Sequence, residues 1–196
     1  RSTARIAAGS QESAIRAGDA LLAEESRLAA DMQEGFSRVR LQIGSKLARA
    51  SGVTGMVGGQ YLDLRDHGRH SPEALQEVHL LKTGRLIAAS IRCAVIAAAP
   101  PPPIEQALDA FGREIGLLFQ IVDDILDVAG DEDMLGKPTG SDARQGKVTY
   151  VSVYGLETAR TLASECHDRA LELLAAVPGP TGDLAAMTEL IYARRS

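Results

Sequence analysis

The chain has 196 residues, enough to bury a substantial core, and we expect a single domain over 1–196. Aromatic residues make up only 4% and Trp is absent, so the composition favours packed helices over an all-β sandwich. A net charge of -5 argues against nucleic acid as a partner, and two isolated cysteines are typical of a reduced, cytoplasmic protein. We expect no membrane span, because Arg92 interrupts the best apolar run, 87–99.

The first half of the chain is predicted to form helices separated by short breaks. Residues 4–32 and 36–50 have helical patterns. The segment 51–66 carries four glycines, which are unfavourable in a helix but allow another backbone to approach closely. A further helix is predicted over 71–99, because its Ser-Pro start supplies a good N-cap and a good first helical residue.

The clearest amphipathic helix in the chain covers residues 104–129. Its apolar residues recur at alternating steps of four and three, at Ile104, Leu108, Phe111, Ile115, Leu118, Val122 and Ile125. The polar segment 131–147 follows, with three glycines and a proline, and is predicted to be a long loop. Helical patterns return over 149–177, with a break at Gly155, and over 183–195.

The face of the 104–129 helix away from the apolar stripe carries a pattern that indicates chemistry. Gly116, Gln120, Asp123 and Asp127 follow at steps of three and four, with Asp124 beside them. Carboxylates this close on a helix repel one another unless a cation joins them. Mg²⁺ prefers oxygen ligands and often shares its shell with substrate phosphates. The alternative is a solvated acidic face that the basic residues of the following loop cover.

Lysines near these carboxylates favour a site for a phosphorylated substrate. Lys137 and Lys147 each follow a glycine in the loop, and together they suit a diphosphate held between magnesium ions and ammonium groups. Taken singly, each could be a surface residue. Lys82 lies within the mainly apolar stripe of the 71–99 helix, where a lysine is costly without a partner. It either forms a structural salt bridge, extends its ammonium group to solvent, or reaches into a substrate cavity.

The histidines are not predicted to be catalytic. His79 shares the stripe of Lys82 and is expected to pack in the core rather than to act as a base. The other three are expected at the surface: His67, His70 and His167.

The stretch 112–150, GREIGLLFQIVDDILDVAGDEDMLGKPTGSDARQGKVTY, resembles the second aspartate-rich region of trans-isoprenyl diphosphate synthases, the farnesyl and geranylgeranyl diphosphate synthase family. Segments 18–22 (GDALL), 58–64 (GGQYLDL) and 82–84 (KTG) look like three more motifs of that family, in the same order. The resemblance covers essentially the whole chain. It implies an all-α isoprenoid synthase bundle around a central cavity, usually as a homodimer.

The resemblance also implies an activity. A trans-prenyltransferase of this type condenses an allylic diphosphate with isopentenyl diphosphate to a short-chain prenyl diphosphate in isoprenoid biosynthesis. Magnesium neutralises the leaving diphosphate, so that the allylic C–O bond ionises and the double bond of isopentenyl diphosphate attacks. The overall pattern resembles bacterial farnesyl-type enzymes, so we expect a C15 product, with C20 as the alternative.

Particular residues acquire roles through the same resemblance. The magnesium ligands would be Asp123, Asp124 and Asp127. The lysines that bind diphosphate would be Lys82, Lys137 and Lys147. The catalytic residues that orient a diphosphate or face the cation would be Lys82, Thr83 and Gln120.

The sequence also departs from the family pattern. The first aspartate-rich motif, the arginine pair after it and an upstream Gly-Lys-Arg segment do not occur in it. The segment 1–3 resembles the residues just after the arginine pair, so we expect the chain to lack the N-terminal third and to be inactive alone. We favour a piece of a complete synthase. The alternatives are a short non-catalytic subunit that binds a partner synthase, or another isoprenoid synthase such as a cyclase.

Overall fold

The computed structural model describes residues 11–31, 37–65, 71–129 and 148–194, and all regular structure in these ranges is helical. The predicted all-α class is therefore confirmed. In chain order the elements are α1 (Gln11–Asp31), α2 (Ser37–Ser51), α3 (Met56–Arg65), α4 (Pro72–His79), a π-helix (Leu80–Gly84), α5 (Arg85–Ala98), α6 (Pro102–Ala129), α7 (Tyr150–Tyr154), α8 (Leu156–Ala175) and α9 (Gly182–Ala193). No helix in the described ranges is long and apolar enough to cross a membrane.

The helix predicted over 71–99 begins as expected but is not uniform. Ser71 is its N-cap, with the side-chain Oγ accepting a hydrogen bond from the backbone N of Ala74 at 3.3 Å, and Pro72 is the first helical residue. Between α4 and α5, the five residues Leu80–Gly84 form a π-helix. Such wider turns are rare and often occur at functional sites. The apolar pattern did not predict this one.

The helix α6 lies at the centre of the described structure and packs most extensively against α8 and α5. Five residues of its predicted apolar stripe are at most 1% exposed: Phe111, Ile115, Leu118, Val122 and Ile125. Burying side chains of this size contributes about 2 kcal/mol each to folding. The predicted stripe is therefore confirmed as the core.

The opposite face of α6 is buried as well. Gly116, Gln120, Asp124 and Asp127 all lie in the interior, and Asp124 and Asp127 are 3% and 1% exposed. The π-helix and α7 also pack against α6, in addition to α5 and α8. The alternative of a solvated acidic face is therefore wrong for Asp124 and Asp127, because neighbouring elements exclude water from them.

Two glycines bring three elements into close contact, and one of them, Gly59, lies in the segment 51–66, whose glycines predicted such an approach. A Cβ added to Gly59 of α3 would lie 2.4 Å from the backbone N of Lys82. A Cβ added to Gly116 of α6 would lie 3.0 Å from the Cα of Gly84. Only hydrogen at the first position permits this approach. The π-helix is thereby packed between α3 and α6.

The C-terminal helices follow the prediction closely. Gly155, with φ of 82°, separates α7 from α8 where the sequence pattern predicted a break. The prediction for one histidine in α8 was wrong. His167 is only 8% exposed, because its ring stacks on that of Tyr192 of α9 with centroids 4.2 Å apart, and Nε2 lies 3.1 Å from Glu189 Oε1. The surface predictions for His67 and His70 lie outside the described residues.

Candidate active site

The three aspartates of α6 lie in different surroundings. Asp123 is half-buried, whereas Asp124 and Asp127 are almost completely buried. Neighbouring residues of an α-helix are rotated by about 100° around its axis, so Asp123 and Asp124 face different neighbours. Among the described residues, no group of three or more His, Cys, Asp or Glu side chains comes together as a metal site. Metal binding by all three aspartates stays a prediction.

Asp124 is held by two hydrogen bonds inside the protein. Its Oδ1 accepts one from the side-chain Nε2 of Gln120 at 3.0 Å, and its Oδ2 accepts one from the backbone N of Tyr150 at 2.8 Å. The bond to Gln120 joins successive turns of α6, while the bond to Tyr150 joins α6 to α7. A buried carboxylate needs such partners, because burial without them is costly.

Tyr150 is the buried first residue of α7. Its side chain is 2% exposed, and its ring centroid lies 5.6 Å from that of His79 and 6.0 Å from that of Tyr154. Burial, and secondly the charge of Asp124, raises the pKa of the Tyr150 phenol well above its ordinary value. The phenol therefore remains protonated at physiological pH. The half-buried His79 thus packs against a buried ring, which agrees with the prediction that it packs internally; that it does not act as a base stays a prediction.

Lys82 forms an ion pair on the π-helix. Its Nζ lies 2.7 Å from Oδ2 of Asp63 in α3, and the two side chains are 31% and 12% exposed. The salt-bridge interpretation of Lys82 is thus confirmed. An ammonium group has three donors, so this bond does not exclude a substrate contact, and the substrate role stays a prediction. Sequence reasoning included Asp63 in the 58–64 motif but assigned it no role, because the pairing depends on how α3 meets the π-helix.

The π-helix brings Lys82 and Thr83 alongside the aspartate-bearing helix. Gly84 touches α6 at Gly116, and Thr83 is half-buried in the same segment. Asp123 lies seven residues beyond Gly116, about 10 Å along the helix axis at 1.5 Å per residue. A cationic residue on one element and carboxylates on the next can therefore share one substrate that carries a diphosphate group.

A comparison with family models identifies the domain that contains these elements. The model of the polyprenyl synthetase family matches residues 1–177. The chain belongs to the polyprenyl synthetase family. Since the matched residues include the whole of α6 and the π-helix, the candidate site lies within the family domain.

Individual relatives of this polyprenyl synthetase chain are farnesyl and geranylgeranyl diphosphate synthases. It is 43% identical to farnesyl diphosphate synthase of Escherichia coli over 187 residues, or 92% of this chain and 62% of that protein. It is 37% identical to a chloroplastic geranylgeranyl pyrophosphate synthase of Arabidopsis thaliana over 194 residues, or 95% of this chain and 54% of that protein. The chain thus spans less than two thirds of the length of these relatives.

The fold is similar to that of solved structures as well. A geranyltransferase from Helicobacter pylori, crystallised with magnesium and isoprenyl diphosphate, superimposes with a TM-score of 0.75 at 30% identity. The match covers 93% of this chain and 60% of that one. The predicted isoprenoid synthase bundle is therefore confirmed as the fold of the described residues.

The remaining site predictions for this polyprenyl synthetase chain divide into two groups. Lys137 and Lys147 lie outside the described residues. Lys82, Thr83 and Gln120 lie on the two elements that meet at Gly84 and Gly116, and their catalytic roles stay predictions. The donor set of α6 fits Mg²⁺, because carboxylate oxygens are the ligands this ion prefers and Asp123 is accessible in part.

Proposed function

We propose that the protein is a trans-prenyltransferase that condenses an allylic diphosphate with isopentenyl diphosphate to a C15 or C20 prenyl diphosphate. The observation that carries the proposal is the packing of the Lys82 segment against the aspartate-bearing helix α6, within a polyprenyl synthetase fold. The named relatives act as farnesyl or geranylgeranyl diphosphate synthases, which supports this choice of product length. The chain spans only part of those relatives, so the activity is proposed for the full-length protein.

The carboxylates of α6 provide the proposed metal site. Asp123 would hold Mg²⁺, because it is the partly accessible carboxylate of the three, whereas Asp124 and Asp127 are 3% and 1% exposed. When bound, the metal ion neutralises the negative charge that develops on the leaving diphosphate. The geranyltransferase from Helicobacter pylori that was crystallised with magnesium and isoprenyl diphosphate supports this proposal by analogy.

The other proposed site residues position the substrate. Lys82 has its ammonium group fixed by Asp63 at 2.7 Å, so it can present its remaining donors to a diphosphate with little loss of side-chain entropy. Thr83 supplies a hydroxyl group beside it. Gln120 has its Nε2 committed to Asp124, which leaves its carbonyl oxygen as the polar atom available to a cationic substrate group. We propose that Lys137 and Lys147 add positive charge to this site.

The decisive experiment measures prenyl transfer by the full-length protein and by its Asp123→Asn variant. Labelled isopentenyl diphosphate and geranyl diphosphate are the substrates, with MgCl₂ in the assay. We expect Asp123→Asn to lower kcat/KM by about 100-fold or more, since losing a metal contact removes several kcal/mol of transition-state stabilisation. Asp183→Asn, which makes the same chemical change at an exposed position of α9, is the control and should retain activity. An inactive parent protein, or an active Asp123→Asn variant, would contradict the proposal.

Two further features belong to this proposal. We propose a homodimer, supported by an exposed apolar row on α3 and in the turn before it. Val57, Tyr61 and Leu64 of α3, together with Val53 three residues before the helix, are 49–81% exposed. Such a row on a stable protein is usually covered by a partner. A cytoplasmic location is also proposed, and the reduced thiols of Cys93 and Cys166 are compatible with it.

A further inference from the structure

The adjacent aspartates of α6 differ in what their carboxylates contact. Asp124 is 3% exposed, and its two oxygens accept hydrogen bonds at 3.0 Å and 2.8 Å from Gln120 and Tyr150. Asp123 is half-buried and faces a different side of the helix. A metal ligand must direct an oxygen lone pair at an accessible ion. Both oxygens of Asp124 accept hydrogen bonds from protein donors, and burial of the side chain leaves little access for an ion to their other lone pairs.

The donor that Asp124 satisfies has no partner within its own helix. The first backbone N–H groups of a helix point away from any intrahelical acceptor. At the start of α7, a capping box supplies acceptors for two such N–H groups. The Thr149 side chain accepts a hydrogen bond from the Ser152 N at 3.1 Å, and the Ser152 side chain accepts one from the Thr149 N at 2.8 Å. The N–H of Tyr150 lies between these two and bonds to Asp124. The carboxylate thus completes the cap from a different helix.

The contact also fixes a buried ring. Tyr150 packs at 5.6 Å from His79 at the end of α4, next to the π-helix that carries Lys82. A displaced α7 would withdraw this ring from the interior. The bond from Asp124 therefore ties together α6, α7 and the end of α4.

We infer that Asp124 is a positioning residue that fastens the start of α7 to α6, and that it is not a magnesium ligand. The neighbouring Asp123 then provides the metal-facing carboxylate of the pair. The part concerning metal rests on the proposed function, whereas the connection between the helices stands without it.

Two substitutions at position 124 separate the two roles. Asp124→Asn can retain both hydrogen bonds: its Oδ1 accepts from the Tyr150 N, and its Nδ2 donates to Gln120 once the Gln120 amide turns over. It removes the negative charge that a metal ligand needs. Asp124→Ala removes both hydrogen bonds. Asp123→Asn removes charge from the adjacent position and leaves the connection to α7 intact.

The first measurement concerns structure and needs no metal. Thermal unfolding and amide hydrogen exchange are followed in the parent protein and the three variants. We expect Asp124→Ala to lower Tm by about 5 °C or more and to accelerate exchange at the Tyr150 amide at least 10-fold, because that donor loses its buried acceptor. Asp124→Asn and Asp123→Asn should keep the parent's Tm and protection. Unchanged protection in Asp124→Ala would overturn the inference.

The second measurement concerns metal. Calorimetric titration with MgCl₂ in the presence of inorganic pyrophosphate should give parent-like affinity for Asp124→Asn and at least 10-fold weaker affinity for Asp123→Asn. Equal weakening in both variants would overturn the inference, because it would make Asp124 a ligand. A parent protein that binds no magnesium pyrophosphate would instead contradict the proposed function, and the exchange data would still decide whether Asp124 connects the helices.

Discussion

The exposed helix α1 and the more buried region around the π-helix contain the same residue types, yet these residues differ in how much they affect the packing of the helices. In α1, Arg27 bonds to Glu24 and Asp31, and the three side chains are 51–61% exposed. A Cβ added to Gly18 would meet nothing within 4 Å. Water screens such exposed ion pairs, so they contribute little to stability. No neighbouring atom restricts the size of the residue at position 18.

In the buried region, an ion pair and a glycine determine how elements meet. Lys82 bonds to an Asp63 side chain that is 12% exposed, and the Cα of Gly59 leaves room only for hydrogen beside the backbone of Lys82. Here the surroundings exclude part of the water, so each polar group depends more on a particular partner. The difference shows that burial, rather than residue type, decides which of these residues affect how the helices pack together.

The strongest expected contrast is between the two glycines. Gly59→Ala should destabilise the protein by about 3 kcal/mol, because the new methyl group would collide with the backbone of Lys82. Gly18→Ala should stabilise α1 by about 0.5–1 kcal/mol, since alanine favours the helix and the position is open. Urea unfolding of both variants measures the two free energies. Similar effects of the two substitutions would remove the distinction between the regions.

A double-mutant cycle compares the two ion pairs. Combining Lys82→Met with Asp63→Asn should reveal a coupling energy of about 1 kcal/mol in the free energy of unfolding, a modest value because the Lys82 side chain is 31% exposed. The parallel cycle of Arg27→Met and Glu24→Gln should give no measurable coupling in 0.15 M salt. A larger coupling in α1 than on the π-helix would reverse the comparison.

The smallest expected effect is a change in the pH dependence of stability. Burial raises the pKa of the Cys166 thiol from 9.0 to about 11. Between these values the unfolded chain loses the thiol proton and the folded protein keeps it, so the free energy of unfolding falls as pH rises above 9. Cys166→Ser should flatten this decline, which urea unfolding at pH 8, 9 and 10 would measure. An unchanged slope would show that burial of Cys166 has no such effect.

Much of the fold could be predicted from the sequence, because local signals were strong. The 4,3 periodicity of 104–129 predicted α6, and the Ser-Pro start predicted α4 to within a residue. The π-helix at Leu80–Gly84 was missed, because a wider turn leaves no distinct signature in the apolar pattern. His167 was misplaced because its burial depends on α9, which follows it in sequence and stacks Tyr192 on its ring.

The candidate site was predicted in its residue types and only partly in its arrangement. The spacing of Asp123, Asp124 and Asp127 pointed to α6, and the isolated Lys82 pointed to the π-helix, which packs against α6. The pattern could not separate Asp123 from Asp124, because both share one motif and differ only in what packs beside them. Asp63 had no signal of its own, since its partner lies 19 residues further along the chain.

By itself, the sequence determined the all-helical class, the core stripe of α6 and the family resemblance, since these depend on periodicity and motifs within short stretches of chain. Only the tertiary structure decided which carboxylate binds a backbone amide, which lysine forms an ion pair and which glycine admits a neighbouring helix. Those outcomes depend on contacts between elements distant in sequence. Their energies come from excluding water at particular places, and no local pattern records where that happens.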